Sequence, residues 1–181
     1  MNYRRGMPAS RIVLLRAVNV GGAKLPMERL RTIASDLGAT DVSTYIASGN
    51  LLCTPPGDPD SFDRALEQAI SDEFGYFREV ISRTPDEVAA ALAASPFTGG
   101  KHAHIYFLTG VPDADAAEAF CATDFGGGER FAVIGADLHI DYPEGAGATK
   151  LTPAKIAKLL GVTGTGRNLR TTATLVERAR A

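Results

Sequence analysis

The chain has no tryptophan and only two cysteines, Cys53 and Cys121, in 181 residues. Two thiols so far apart form neither a disulfide framework nor a metal knuckle, which points to a cytosolic protein with reduced thiols. Aromatic residues make up 7% of the chain, and the paired aromatic motif through which an open sheet stacks single-stranded RNA does not stand out. No apolar run approaches the roughly 18 residues that a membrane span requires. The opening Met1-Asn2-Tyr3-Arg4-Arg5-Gly6 is basic but has no apolar signal core, so export is not expected. What is present suits a globular protein: 45% hydrophobic and 22% charged residues. The length allows one large domain or two small ones.

The net charge of −2 conceals an asymmetry: residues 1–31 sum to +6, residues 150–181 to +6, and residues 32–149 to −14. If the two ends meet in space, their cations form one positive face on an acidic body. If they do not, they are solvated termini.

Hydrophobic periodicity predicts a succession of strands and helices. Ile12–Val18 reads as a strand. A helix from Pro26-Met27 follows, with Met27, Leu30, Ala34 and Leu37 on one stripe and Gly38 at its end. Val42–Ser48 and Leu51–Thr54 flank Gly49-Asn50, a hairpin signal because glycine accepts the positive φ such turns need. Phe62, Ala65, Leu66, Ala69 and Ile70 mark a second helix, and Phe77–Ile81 the next strand. Residues 1–83 thus read as β-α-β-β-α-β, the ferredoxin-like split arrangement.

Residues 84–181 read as a related subdomain. Thr84 and Glu87 have capping-box spacing. Then come a strand at His104–Leu108, a helix near Ala114–Cys121 and strands at Arg130–Ile134 and Leu138–Tyr142. A helix opens at Thr152-Pro153 and ends at Gly161, and a last helix starts at Asn168. The expected fold is α+β, with two ferredoxin-like α/β repeats, β-α-β-β-α-β followed by β-α-β-β-α-α. Mostly antiparallel sheets carry helices on one face.

Several stretches resemble a known family. They are Leu14–Gly22 with Leu25-Pro26-Met27, Tyr45–Asn50, Tyr142–Gly145 with Lys150-Leu151-Thr152, and Thr165–Thr171. In this order they are similar to the domain-of-unknown-function 1697 family, bacterial proteins without an established activity. The resemblance implies an α+β fold of ferredoxin-like character and supplies no reaction. Family members usually have glycine at the position of Ala17, glutamine near Ala47 and tryptophan at the position of Leu169. The missing aromatic at Leu169 weakens any stacking role there.

Candidate site residues follow from topology. In a split β-α-β-β-α-β unit, strands one and two run the same way. The corner Asn19–Lys24 and the hairpin Ser48-Gly49-Asn50 therefore belong at one end of the sheet. There Arg16, Asn19, Gly21, Gly22, Lys24, Ser48, Gly49 and Asn50 offer cations, polar side chains and backbone amides, with the positive helix end at Pro26-Met27 behind them. The competing reading is a tight corner and a plain hairpin turn.

A second candidate is Gly145–Lys150, a glycine-rich run before a helix in which Lys150 meets a phosphate or merely lies along the helix start. It lacks the spacing of a P-loop. A third is Thr163–Asn168, where Arg167 offers a planar fork to phosphate and Asn168 caps a helix, or Arg167 pairs with an internal carboxylate. His102, His104 and His139 lack the carboxylate spacing of a metal site, and no metal or cofactor is expected. Neither a nucleophile elbow nor an acid–base pair is present.

The leading expectation is a module that binds a phosphate-bearing ligand, a nucleotide or nucleic acid, at the glycine-rich loops. The alternatives are an enzyme acting on a small anionic substrate at the same loops, or an interaction protein without a small ligand.

Overall fold

The structure, a computed structural model, describes residues 10–99 and 102–181. The basic Arg4, Arg5 and Lys101 lie outside the described residues. The elements run β1 (Arg11–Leu15), α1 (Met27–Asp36), β2 (Thr40–Thr44), β3 (Asn50–Thr54), α2 (Pro59–Phe74), β4 (Val80–Arg83) and α3 (Pro85–Ala94). They continue with β5 (Ala103–Leu108), α4 (Ala114–Ala122), β6 (Arg130–Ile134), β7 (Asp137–Asp141), α5 (Pro153–Leu160), β8 (Gly164–Asn168) and α6 (Leu169–Arg180). Among the described residues these make six helices and two four-stranded antiparallel sheets, an α+β fold. Among the described residues no helix is long and apolar enough to cross a membrane. The chain divides into two compact units, one formed by residues up to Val88 together with Thr174–Ala181, the other by Ala89–Ala173.

In the first unit the strand order is β2-β3-β1-β4. Strand β1 lies between β3 and β4 and is antiparallel to both, with Val13 opposite Leu51 and Ser82. Alternate residues of the sheet, Val13, Leu15, Leu51, Cys53 and Val80, pack with Leu30, Ile33 and Ala34 of α1 and with Phe62, Leu66 and Ile70 of α2. Burial of each such aliphatic side chain stabilises by about 1.5–3 kcal/mol. The residues of opposite parity, Ile12, Leu14, Leu52 and Ile81, are at most 3% exposed, so this sheet has no open face. Edge strand β2 carries a register shift between Thr40 and Ser43, with Asp41 at φ +53°.

The second unit has the same permutation, β6-β7-β5-β8. Tyr106, Leu108, Leu138 and Ile140 pack with Phe120 of α4 and with Ile156 and Leu160 of α5. Local signals in the sequence are realised at the helix ends. Asp58 accepts from the Ser61 amide at 2.8 Å, and Thr84 and Glu87 exchange bonds at 2.7 and 3.1 Å. Gly161 closes α5 in the left-handed region.

One element corrects the sequence reading. The expected β-α-β-β-α-α order has no strand at Gly164–Asn168, yet this run is strand β8, antiparallel to β5. Its glycines hid it, since glycine weakens a strand unless another group must come close. Here the Tyr106 ring lies against that stretch. A Cβ on Gly164 would stand 2.5 Å from the Phe107 carbonyl oxygen and 2.8 Å from the ring, and one on Gly166 3.0 Å from it.

Gly164→Ala is therefore expected to destabilise by about 1–3 kcal/mol, and more than Gly166→Ala, whose only close neighbour is a side chain. Equilibrium urea unfolding of both variants measures the difference.

Candidate functional site

The end of the first sheet at which β1 finishes gathers three connections. The β1–α1 corner and the β2–β3 hairpin meet because β1 and β2 are both antiparallel to β3. The Leu15 amide donates to the Gly49 carbonyl at 2.9 Å. The Asn19 side chain joins the two loops: its Nδ2 donates to the Ala47 carbonyl at 2.5 Å, and its Oδ1 accepts from the Leu25 amide at 2.9 Å. Gly49, at φ +80°, fits under Val18, and a Cβ there would lie 2.9 Å from Val18 Cγ2 and 3.0 Å from Leu15 Cβ. The third connection, between α2 and β4, arrives because β4 is antiparallel to β1. The Arg16 amide donates to the Glu79 carbonyl at 2.9 Å, and the Tyr76 hydroxyl donates to the Lys24 carbonyl at 2.7 Å. The sequence reading placed Phe77–Ile81 in a strand and so missed this segment. The antiparallel placement of β4 beside β1 was the signal that would have found it.

At this rim Asn19, Gly21, Gly22 and Lys24 are exposed, and Arg16 and Ser48 are half-buried. Arg16 Nη1 stands 3.5 Å from Glu79 Oε2. Behind the glycines, Pro26 begins α1 without a side-chain cap. The other helices of the described residues open on Asp58, Thr84, Asp113, Thr152 and Asn168, each accepting an amide of its first turn. The first-turn amides of α1 and its positive dipole end thus have no capping side chain. Gly49 and Asn50 are buried, and the Asn50 amide donates to the Tyr45 carbonyl (3.0 Å) and to Ser48 Oγ (2.9 Å), which shapes the hairpin. Three residues other than glycine hold positive φ here: Ala17 (+55°), Asn19 (+57°) and Ile46 (+48°).

Lys150, Arg167 and Asn168 belong to the second unit. Lys150 is exposed, beside a small cavity of about 80 Å³ lined by Glu129, Glu144, Gly145 and Thr149. The Thr149 hydroxyl donates to Glu129, and Lys150 is not among the residues that line the cavity. Arg167 is 7% exposed, and its Nη1 donates to Thr165 Oγ1 and the Gly166 carbonyl at 2.8 and 2.9 Å; burial lowers its pKa to about 10. Asn168 caps α6, its Oδ1 accepting from the Thr171 amide at 2.7 Å. His139 shares the register row of Ile105 and Arg167, whereas His104 lies on the other face with Tyr142. Both ring nitrogens of His139 lack partners among the described residues, and burial lowers its pKa. Among the described residues no group of three or more His, Cys, Asp or Glu is placed to hold a metal ion.

The family model for proteins of unknown function DUF1697 matches residues 9–139. The chain belongs to this family. The match takes in the whole rim and ends before the Tyr142–Gly145 and Thr165–Thr171 stretches. Among solved structures, the chain is similar to the conserved bacterial protein SP0830 from Streptococcus pneumoniae. The likeness has 20% identity and a TM-score of 0.71, and covers 96% of this chain and 99% of that one. At this identity it speaks for a shared fold. No curated protein matches the sequence significantly.

Toward the end of the first sheet away from the rim, where β1 begins and β4 ends, lies a polar cluster that sequence reasoning missed. Ser82 Oγ donates to Asp63 Oδ2 at 2.6 Å and accepts from Arg11 Nη2 at 3.0 Å, while Asp63 Oδ1 has no partner among the described residues. Burial raises the Asp63 pKa to about 6, against the opposing pull of Ser82 and Arg11. Burial also drives the Cys53 thiol up to about 12, which makes it an inert core group.

Three outcomes follow for this unit. The folded chain holds the Asp63 proton more tightly than the unfolded chain, so the stability from that proton is present below the ordinary pKa of 3.8 and is lost as pH rises through about 6. Asp63→Asn is expected to gain on the wild type by up to about 3 kcal/mol between these limits, read from urea unfolding across pH. Ala17→Gly relieves a left-handed alanine and is expected to stabilise by about 1 kcal/mol, whereas Asn19→Ala breaks both loop ties and destabilises by about 2 kcal/mol.

Proposed function

We propose that the rim formed by Arg16, Asn19, Gly21, Gly22, Lys24 and Ser48 binds a phosphate-bearing ligand, a nucleotide or nucleic acid, in a cytosolic protein. The observation that carries this reading is the uncapped start of α1 behind Gly21-Gly22. Backbone amides and a positive helix end suit a phosphate group, and Arg16 and Lys24 add full charges. A Cβ on Gly21 or Gly22 would meet nothing within 4 Å, so space for a ligand lies directly over the glycine backbone. Gly49 and Asn50 enter as the residues that set the hairpin against this corner. The free thiols Cys53 and Cys121 suit a reducing compartment. Lys150, Arg167 and Asn168 are left out of the ligand set: all three belong to the other unit, and there Arg167 is buried and Asn168 is a helix cap.

A thermal-shift titration with inorganic tripolyphosphate and a nucleoside triphosphate tests the reading. A ligand at a hundred times its dissociation constant adds about 2.7 kcal/mol of stability, and Lys24→Gln combined with Arg16→Gln is expected to remove most of the shift. Absence of any shift at low salt would sink the proposal.

A further inference from the structure

Binding of phosphate alone leaves a second property of the rim unused. Phe77 is 59% exposed, Val20 56% and Ile46 51%. Each stands one residue from a hydrogen bond that ties the rim together: Val20 follows Asn19, Ile46 precedes Ala47 and Phe77 follows Tyr76. Ile46 is β-branched at φ +48°, a conformation such residues rarely adopt, so the hairpin holds an apolar side chain in solvent at a conformational cost.

Planar cationic surface lies beside these groups. The Arg78 guanidinium stands 4.2 Å over the Tyr76 ring and donates through Nη1 to the Phe77 carbonyl at 2.8 Å; its Nε has no partner among the described residues. The Arg178 guanidinium of α6 stands 4.7 Å over the ring of Tyr45, a residue of the β2–β3 hairpin. Flat rings, an arginine backed by a ring, and cations at one rim are complementary to bases linked by phosphates. A mononucleotide brings one base to three exposed apolar positions, whereas a strand brings several. Stacking on the sheet itself is closed off, because Ile12, Leu14, Leu52 and Ile81 are buried.

We infer that the rim of the first unit takes a single strand of nucleic acid, with Phe77 and Arg78 as the stacking surfaces and Arg16 and Lys24 meeting phosphates. This rests on the phosphate reading and adds the base as the second recognised group. A phosphate reaching Arg16 displaces Glu79 from its 3.5 Å contact.

The test is fluorescence anisotropy with labelled dodecathymidylate and dodecauridylate at low and moderate salt. Phe77→Ala is expected to weaken binding about tenfold with an unchanged salt slope, since stacking carries no charge. Lys24→Gln is expected to make the slope of log affinity against log salt shallower by about 0.7. Because the chain has no tryptophan, Phe77→Trp places one fluorophore at the stacking position. It is expected to bind like the wild type and to be quenched by the strand.

Tight binding by Phe77→Ala, or an unquenched Phe77→Trp in a formed complex, overturns the inference. If tripolyphosphate binds and neither strand does, the phosphate reading stands and the strand is excluded. If nothing binds, both fall. Light scattering covers the remaining occupant: a wild-type dimer that Phe77→Ala converts to monomer assigns the apolar rim to a second copy of the chain and overturns the inference.

Discussion

One asparagine side chain does most to give the rim its form. Asn19 sits in the left-handed region, which asparagine tolerates better than most residues, and from there its amide reaches the hairpin carbonyl of Ala47 while its oxygen receives the Leu25 amide. The corner between β1 and α1 is eleven residues long, and its backbone turn bond from the Ala23 amide to the Val20 carbonyl is long at 3.4 Å. With Asn19 in place, the corner is tied to the hairpin on one side and to the approach to α1 on the other. Gly49 completes the fit, because only a residue without a Cβ lets the hairpin close over Val18 and Leu15.

Much of this was legible in the sequence, for a topological reason. Once the order β-α-β-β-α-β is read from periodicity, strand direction alone places the corner and the hairpin at one end. Chain reversal by Gly49 and helix closure by Gly38 and Gly161 follow from backbone chemistry that does not depend on distant contacts. What could not be read depends on tertiary packing. Strand β8 pairs with β5, and its glycines leave room for the Tyr106 ring, a requirement written in β5 and not in β8. Phe77–Ile81 reads as strand in the sequence, while the pairing with β1 begins only at Val80. Asn50 carried the right chemistry for a ligand, yet its burial turned that chemistry inward.

The buried polar groups show a similar division. Asp63 and His139 lie inside different units, and burial moves each toward its neutral form: the carboxyl upward, the imidazole downward. Their effects on stability oppose each other as the medium acidifies, since the first gains from protonation and the second loses. Neither sits among the exposed residues of the rim. They report on how the cores tolerate polar groups, not on recognition.

The irregular pairing of β2 with β3 has a consequence for how molecules of this protein meet. A flat strand at the border of a sheet presents free amides and carbonyls that a neighbour's strand can join, the first step toward uncontrolled polymerisation. The slip between Thr40 and Ser43, with Asp41 turned into the left-handed region and exposed, breaks that template and sets a negative charge on it. The border is made unfit for extension at the far end of β2 from the hairpin, so this protection does not occupy the loops available for a ligand.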